Sequence, residues 1–300
     1  MSTTPYVSVI IPMFDRIGSI GRAIASVQAQ TLNDFEIVVV DDGSSDGSPE
    51  RVMAIDDPRI SLIRRTQNGG ASAARNSGIA AARGNLIAFL DSDDEWLPRK
   101  LEVQAARLAA APEDAGVSCT GVEMHLLDHA ITRQQPLEDT DDWARRLAMD
   151  CDLSPGTTQL TRRGIFDVIG PLDEKLPRFE DWDWLIRYTR RGRIVAVRDP
   201  LARVYNRRAR LGDVVELSAM LLLVKHADVL AALSPSDRRQ ALADIWLQAA
   251  GTYAFEGKWS RMVGPAMTAF SHRPLHTIGR LAAGGLAVAR GRAKFYVGRA

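Results

Sequence analysis

Short apolar runs alternate with segments of helical periodicity along the first two thirds of the chain. Runs rich in β-branched residues that end in turn residues, such as YVSVIIP and FEIVVVDD, are typical of buried strands. The pattern predicts strands at 6–12, 35–42, 59–65, 85–91, 115–124 and 193–200. Helical spacing predicts helices at 70–84, 97–111 and 179–192, and the stretch 163–176 predicts a short helix with a Gly-Pro turn.

Strands that alternate with helices in this way predict an α/β fold, with a mostly parallel sheet covered by helices on both faces. Residues from about 125 to 160 are polar and show no clean period. Beyond residue 211 the pattern is helical, at 213–233, 236–256 and 259–270, and a basic tail follows. We therefore expect a sheet domain at 1–210 and a helical C-terminal region at 211–300.

Acidic residues collect where the predicted strands end. Asp15 follows the first strand, Asp41 and Asp42 end the second, and the stretch LIAFLDSDDEW ends the fourth. This last stretch has four carboxylates within five positions, 91–95. Ligands of open α/β sheets bind at the carboxyl ends of the strands, so we expect a binding site at this rim.

Composition narrows the class of protein. Apolar residues make up 46% of the chain, charged residues 25%, and the net charge of +1 gives no bias towards nucleic acid. Two cysteines without metal-type spacing predict a reduced, intracellular protein. The start MSTTPYVSV does not resemble a signal peptide, and no apolar run reaches the ~20 residues of a membrane span. A cytoplasmic protein is expected.

The four carboxylates at 91–95 have a structural reading and a functional one. Asp93 or Asp94 could cap the helix that follows, but four acids exceed what a cap requires. A calcium loop of the EF-hand kind fails, because the required Gly and Glu are missing, and a phosphatase motif fails at Glu95. A divalent cation, Mg²⁺ or Mn²⁺, held by carboxylates and completed by a substrate's phosphates, remains.

Four ordered stretches carry a resemblance to a known family. VSVIIPMFDR, QAQTLNDFEIVVVDDGSSDGS, NGGASAARNSGIAAARGNLIAFLDSDD and FEDWDWLIR resemble the successive blocks of the family 2 glycosyltransferases, which have the GT-A fold. The resemblance covers about residues 6–207. It implies inverting transfer of a sugar from a nucleotide-diphospho-sugar, commonly a UDP-sugar, to a glycan or lipid-linked acceptor in cell-surface polysaccharide synthesis. The QxxRW block of processive members is absent, which favours transfer of a single sugar.

The resemblance implies donor-binding roles for several residues. Pro12, Phe14 and Asp15 would line the base and ribose pocket, with Phe14 and Asp15 in place of the family's usual Tyr and Asn. Asp42 would accept a hydrogen bond from a uracil N–H, and Arg75 would lie near the diphosphate. Three of these residues have a structural alternative: a core aromatic for Phe14, a turn for Asp42 and a helix-surface position for Arg75.

The same resemblance assigns the metal site to Asp91-Ser92-Asp93. Asp93 would be the direct ligand of Mn²⁺ or Mg²⁺, and Asp91 would reach the ribose or a metal-bound water. Ser92 would lie beside the donor. We expect Asp94 to cap the next helix instead.

The catalytic base implied by the resemblance is Asp181, which would remove the proton of the acceptor hydroxyl. Glu180 and Trp182 are candidates for the acceptor side, although a tryptophan on a helix stripe is more typical of a core. The family often places a metal-binding His near residue 205, and none occurs here. Arg207 or Arg208 could contact phosphate there instead.

The C-terminal tail and the class of activity leave alternatives open. Residues 271–300 are basic and could bind the inner face of a membrane, or they could form a helical pack or an oligomer contact. A non-catalytic nucleotide-sugar-binding or assembly subunit is the alternative to an enzyme. Nucleotidyl transfer would require a glycine-rich phosphate loop after the first strand, and PMFDRIGS does not resemble one.

Overall fold

The computed structural model describes residues 4–126, 131–206 and 211–289. The strands are β1 (Val7–Met13), β2 (Phe35–Asp41), β3 (Ile60–Arg64), β4 (Leu86–Phe89), β5 (Glu95–Trp96), β6 (Ala115–Leu126), β7 (Ile131–Gln135), β8 (Leu160–Arg162) and β9 (Arg193–Asn206). The helices are α1 (Ile20–Gln28), α2 (Ser48–Met53), α3 (Gly70–Ala81), α4 (Lys100–Ala109), α5 (Trp143–Met149), α6 (Pro155–Thr158), α7 (Gly164–Ile169), α8 (Glu180–Thr189), α9 (Gly212–Lys225), α10 (Ala227–Ala232), α11 (Pro235–Phe255), α12 (Trp259–His272) and α13 (Pro274–Ala289). All six predicted strands are present.

The described residues form one mixed sheet of nine strands in the order β3-β2-β1-β4-β8-β6-β9-β5, with β7 paired to β6. The first four strands in that order are parallel to one another, as predicted. Antiparallel pairs join β8 to β4 and to β6, so the sheet is less parallel than we expected. The predicted α/β class is confirmed, and the parallel half places the ends of β1, β2 and β4 at one rim.

The sheet is buried on both faces, which explains its continuous apolar strands. Successive residues of a strand point to opposite faces, and Val9 and Ile10 accordingly belong to different core clusters. The cluster around Ile10 also contains Val215 of α9 and Ile245 of α11. Helices from the C-terminal region therefore share a core with the sheet, and the expected boundary at residue 210 stays a prediction.

Two helices differ from the prediction. The segment 97–111 forms a helix only from Lys100, because Glu95 and Trp96 form β5 and pair with β9. The segment 213–233 is divided into α9 and α10 at His226, whose Nε2 lies 2.8 Å from the carboxylate of Asp183. None of the helices in the described part of the chain has the length and apolar character to span a lipid bilayer.

Candidate active site

Arg75 lies at the centre of the candidate site. It is buried on α3, and its Nη2 donates to Asp91 Oδ1 at 2.6 Å, just beyond the end of β4. Its Nη1 donates to Glu180 Oε1 at 2.5 Å, at the start of α8. The helix-surface reading of Arg75 is therefore wrong. One guanidinium connects the predicted metal-binding stretch to the segment that carries the predicted base.

Three carboxylates act on the charge of Arg75. Burial opposes its charge, but the carboxylates of Asp91, Glu180 and Asp181 outweigh burial and raise the pKa of Arg75. Burial, followed by the charge of Asp181, raises the pKa of Glu180, and Arg75 opposes that rise. A guanidinium stays protonated in such a setting, so Arg75 supplies a fixed positive charge to this rim.

Asp181 lies in the first turn of α8, where the helix dipole favours negative charge. The side chain is half-buried, and its Oδ2 accepts a hydrogen bond from the backbone N–H of Gly156 at 3.2 Å. A Cβ on Gly156 would lie 2.6 Å from Arg75 Nη2 and 2.9 Å from Asp91 Oδ2. Only glycine allows α6 to pack this close to the Arg75–Asp91 pair.

Each carboxylate of the 91–95 cluster has its own partner in the protein. Asp91 pairs with Arg75, Asp93 Oδ2 lies 3.7 Å from Arg16 Nε, and Glu95 Oε1 lies 2.7 Å from Arg22 Nε. The remaining carboxylate, that of Asp94, accepts hydrogen bonds from the Thr157 hydroxyl and the Tyr205 backbone N–H. Arginines thus offset part of the repulsion within the cluster.

Asp94 does not cap the next helix, contrary to our expectation. The helix α4 starts six residues later, and the buried carboxylate of Asp94 is turned to Thr157 and Tyr205. Burial and the charge of Asp91 raise its pKa well above the ordinary value. Asp94 therefore anchors β9 and α6 to the end of β4.

Asp91 and Asp93 are the residues that could hold a divalent cation. Burial and the charge of Asp91 raise the pKa of Asp93, and a bound cation would relieve both effects. Within the described ranges, no group of three or more His, Cys, Asp or Glu side chains is placed to hold a metal ion. Two hard carboxylates still fit Mg²⁺ or Mn²⁺, because such sites commonly complete the shell with phosphates and water.

The predicted nucleotide side lies where β1 and β2 end. Pro12 is buried within β1, opposite Val40, whereas Phe14 is 43% exposed, so the core reading of Phe14 is wrong. Asp15 Oδ1 accepts from the backbone N–H of Ser45 at 2.9 Å, which holds the loops after the two strands together. These residues are adjacent at the rim, and their contact with a nucleotide stays a prediction.

Asp42 is buried and already has partners in the protein. Its Oδ2 accepts from the backbone N–H of Gly70 at 2.7 Å, and both oxygens lie 3.1 Å from the N–H of Gly69. Arg65 Nη1 lies 3.1 Å from Oδ1. Asp42 thus binds the backbone at the start of α3, and its predicted hydrogen bond to a base would share these oxygens.

Backbone strain is concentrated around the site. Within the described residues, the non-glycine residues with a left-handed backbone are Asp15 (φ 50°), Ser154 (φ 47°) and Phe179 (φ 66°). Asp15 lies in the loop after β1, Ser154 precedes α6, and Phe179 precedes α8. Such conformations persist where surrounding structure enforces them, and they cluster at functional sites.

The acceptor-side predictions need correction. Trp182 is buried in the core, and its indole N–H donates to the backbone carbonyl of Leu147 at 2.7 Å. It packs edge-on against Phe179 and offers no open face to a sugar, as is typical of an apolar helix stripe. Glu180 is also buried, and its carboxylate forms an ion pair with Arg75. Ser92 is buried beside Asp91.

Sequence reasoning missed the part that α6 and Tyr205 play. Thr157 of α6 donates to Asp94, and the Tyr205 hydroxyl lies 3.1 Å from Glu95 Oε2. The Ser-Pro-Gly sequence before Thr157 indicates a turn, but it lies in the stretch without a clean period. Arg207 and Arg208 lie outside the described residues.

Comparison with known families identifies the class of this protein. The model of glycosyl transferase family 2 matches residues 8–168, which is more than half of the chain. The chain therefore belongs to glycosyl transferase family 2, as the four stretches of sequence predicted.

Curated relatives match mainly a shorter part of the chain. The succinoglycan biosynthesis protein ExoO of Rhizobium meliloti is 46% identical over 107 residues, 36% of this chain and 31% of the relative. The UDP-Glc:alpha-D-GlcNAc-diphosphoundecaprenol beta-1,3-glucosyltransferase WfgD of Escherichia coli is 41% identical over 102 residues, 34% of this chain and 40% of the relative. The matches thus span less than half the length of either relative.

Solved structures show the same fold over a larger share of the chain. The S. aureus TarS 1-349 structure has a TM-score of 0.61 at 21% identity, and it covers 83% of this chain and 80% of its own. The mannosyltransferase PcManGT from Pyrobaculum calidifontis, in complex with GDP-Man and Mn²⁺, has a TM-score of 0.60 at 18% identity. That match covers 96% of this chain and 81% of the neighbour. The predicted GT-A fold is confirmed.

Proposed function

We propose that this chain transfers a single sugar, with inversion, from a UDP-sugar to a glycan or lipid-linked acceptor. The Arg75 bridge between Asp91 and Glu180 carries this proposal. It brings the strand end that would hold a diphosphate close to the helix start that carries Asp181. A donor site and a proton acceptor must lie this close for direct displacement at an anomeric carbon.

We assign the metal site to Asp91 and Asp93, with Mn²⁺ or Mg²⁺ as the ion. When bound, the ion would supply positive charge for the leaving diphosphate. The protein adds fixed charge of its own at the same rim, since Arg16 lies beside Asp93 and Arg75 beside Asp91. Phe14, Asp15 and Asp42 would hold the base and ribose, and Ser92 would lie beside the donor.

We assign proton removal from the acceptor hydroxyl to Asp181. The Gly156 N–H donates to Oδ2 of this carboxylate and fixes its orientation. Glu180, one residue earlier, is engaged by Arg75 and buried, which leaves Asp181 as the half-buried carboxylate of the pair. A positioned carboxylate of this kind typically accelerates proton transfer by about 10²- to 10⁴-fold.

The names of the relatives support a role in polysaccharide synthesis. One is a succinoglycan biosynthesis protein, and another is a putative colanic acid biosynthesis glycosyl transferase. The name of WfgD specifies a UDP-Glc donor and a diphosphoundecaprenol-linked acceptor, which supports the same chemical classes here. We propose that catalysis resides in residues 1–210, in the cytoplasm, with peripheral membrane contact through the C-terminal region.

Calorimetric titration of the full chain with UDP, with and without Mn²⁺, tests the donor and metal assignment. We expect Mn²⁺ to strengthen UDP binding, and Asp93→Asn to remove about tenfold or more of that gain. Asp167→Asn, a change at an exposed carboxylate on α7, is the matched control and should bind as the unaltered chain does. UDP binding that is indifferent to both Mn²⁺ and Asp93→Asn would contradict the metal assignment. A panel of nucleotide-sugars in the same experiment identifies the donor.

A non-catalytic nucleotide-sugar-binding subunit is the competing function, and the release of UDP from the donor separates the two. A catalytic chain releases UDP in the presence of Mn²⁺ and loses this activity in Asp181→Asn. UDP release that survives unchanged in Asp181→Asn would favour the non-catalytic subunit.

A further inference from the structure

Helix α12 turns small residues inward and large apolar residues outward. Its buried residues are Pro265, Ala266 and Ala269, on the side that packs against α11. Its exposed apolar residues, which we call the α12 face, are Trp259, Val263, Met267 and Phe270. At about 100° per residue these four side chains lie within an arc of roughly 80°. The helix therefore presents one apolar stripe to the outside.

A second exposed stripe, on α9, provides a comparison. Its residues are Leu217, Met220, Leu221 and Val224, and Met220 and Val224 are 51% and 79% exposed. The corresponding pair of the α12 face, Val263 and Met267, is 53% and 60% exposed. The two stripes are similar in apolar character, so they can be distinguished by the charges around them.

Those charges differ in sign. The helix α9 carries two acids, Asp213 and Glu216, and one cation, Lys225, at its last residue. From residue 257 to residue 300 there is no acidic residue, and eight basic residues occur. Lys258 and Arg261 pair with acids, Glu256 and Asp213. Beyond Arg261 the sequence contains six basic residues and no acidic one, and four of the six lie in the stretch RGRAKFYVGRA after residue 289.

We propose that the α12 face docks on a phospholipid surface that carries anionic headgroups. An apolar stripe with Trp and Phe, set in basic sequence, is typical of helices that lie in a membrane interface. Basic residues near such a surface add attraction to anionic lipid. A second copy of the chain fits less well, because a two-fold interface would bring the same basic segments together. This inference deepens the proposed function and rests on it, because a lipid-linked acceptor would lie in such a membrane.

Trp259 provides a built-in probe for this docking. It is exposed, whereas the other five tryptophans of the chain are buried or half-buried. We expect phosphatidylglycerol-containing vesicles to shift Trp259 emission to the blue, with a smaller effect from pure phosphatidylcholine vesicles. Trp259→Phe should abolish most of the shift while the protein still sediments with the vesicles.

The decisive comparison uses one Val and one Met from each stripe. Val263→Ser combined with Met267→Ser should weaken binding of the full chain to phosphatidylglycerol vesicles about tenfold. Met220→Ser combined with Val224→Ser removes a similar apolar area from α9 and should leave vesicle binding unchanged. Circular dichroism checks that both variants remain folded.

Three results would overturn the proposal. They are no binding to either kind of vesicle, equal loss in the α9 and α12 variants, or a dimer in light scattering that the α12 variant abolishes. UDP titration of the same preparations separates this proposal from the proposed function. Normal UDP binding without vesicle binding rejects only the docking surface, and vesicle binding without UDP binding rejects only the donor site.

Discussion

The sheet half of the molecule buries charged groups, whereas the C-terminal helices expose apolar ones. Arg75, Asp94 and Lys100 are buried in the first part, and Trp259 and Met267 are exposed in the second. Burying a charge is costly unless partners compensate for it. Apolar exposure on one helix face is likewise unusual unless something covers it. Each half departs from the usual arrangement of apolar side chains inside and charged side chains outside. In each half the departure coincides with a proposed function.

The largest effect is expected on activity, at the proposed catalytic base Asp181. Asp181→Asn keeps the shape of the side chain but removes the negative charge that accepts a proton. UDP release with acceptor should fall about 10³-fold while UDP affinity stays within a factor of about two. Steady-state kinetics and calorimetry on the same protein measure both quantities. Asp167→Asn, on an exposed turn of α7, serves as control.

Replacement of Arg75 should cause the largest loss of stability. Arg75→Met leaves Asp91 and Glu180 without their shared partner, and an uncompensated buried charge costs about 3 kcal/mol or more of unfolding free energy. Urea unfolding measures the loss. Arg64→Met is the matched control, because its ion pairs are longer and Arg64 is largely exposed, and it should cost less than about 1 kcal/mol. Equal losses of unfolding free energy would mean that the contacts of Arg75 with Asp91 and Glu180 do not stabilise the fold.

Replacement of Lys100 should raise the stability of the protein instead of lowering it. Its Nζ is buried, lies 4.0 Å from the centre of the Trp96 ring, and has no hydrogen-bond partner among the described residues. Burial lowers the pKa of Lys100 to about 7. Between that value and the ordinary 10.5, the unfolded chain binds more protons, so stability rises with pH. Below pH 7 the cost of the buried charge is fully present.

Lys100→Met should therefore stabilise the protein, by about 2 kcal/mol at pH 6 and by less at pH 9. Chemical unfolding at the two pH values measures the difference. Lys175→Met, at an exposed position, controls for the loss of a surface charge. A gain that does not depend on pH would show that the Lys100 charge is not the cause.

The smallest effect on stability is expected at the α12 face. Val263→Ser with Met267→Ser should change the unfolding free energy by less than about 0.5 kcal/mol, because both side chains already contact solvent. The change Val215→Ser, in the core shared by α9 and the sheet, should cost about 2 kcal/mol. Thermal or urea unfolding compares them. A large loss at the α12 face would mean that these side chains contribute to folding itself.

The parallel half of the fold could be predicted from sequence because buried parallel strands are continuous apolar runs. The strands β1, β2 and β4 follow that rule. The segment 125–160 could not be predicted. Its helix α6 has four residues, all buried, and so short a helix is stabilised by tertiary packing rather than by its own periodicity.

Within the candidate site, motif position singled out Asp91, Asp93 and Asp181 as candidates, but it could not reveal their partners. The bond between Gly156 and Asp181 joins segments 25 residues apart, and only the folded chain brings them together. Trp182 was a candidate for the acceptor side although its helix stripe is more typical of a core, and its contacts with Leu147 and Phe179 place it in the core. Pattern identifies which residues are chemically suited, and tertiary contacts decide which of them are accessible.

The shared guanidinium of Arg75 has a thermodynamic consequence. Any molecule that draws Asp91 away from Arg75 must alter the free energy of the Arg75–Glu180 contact, since one side chain serves both carboxylates. Linkage makes such an influence reciprocal. If donor and acceptor engage the two ends of this bridge, each must change the affinity for the other by the same factor. The total free energy of binding both is then the same whichever of the two binds first.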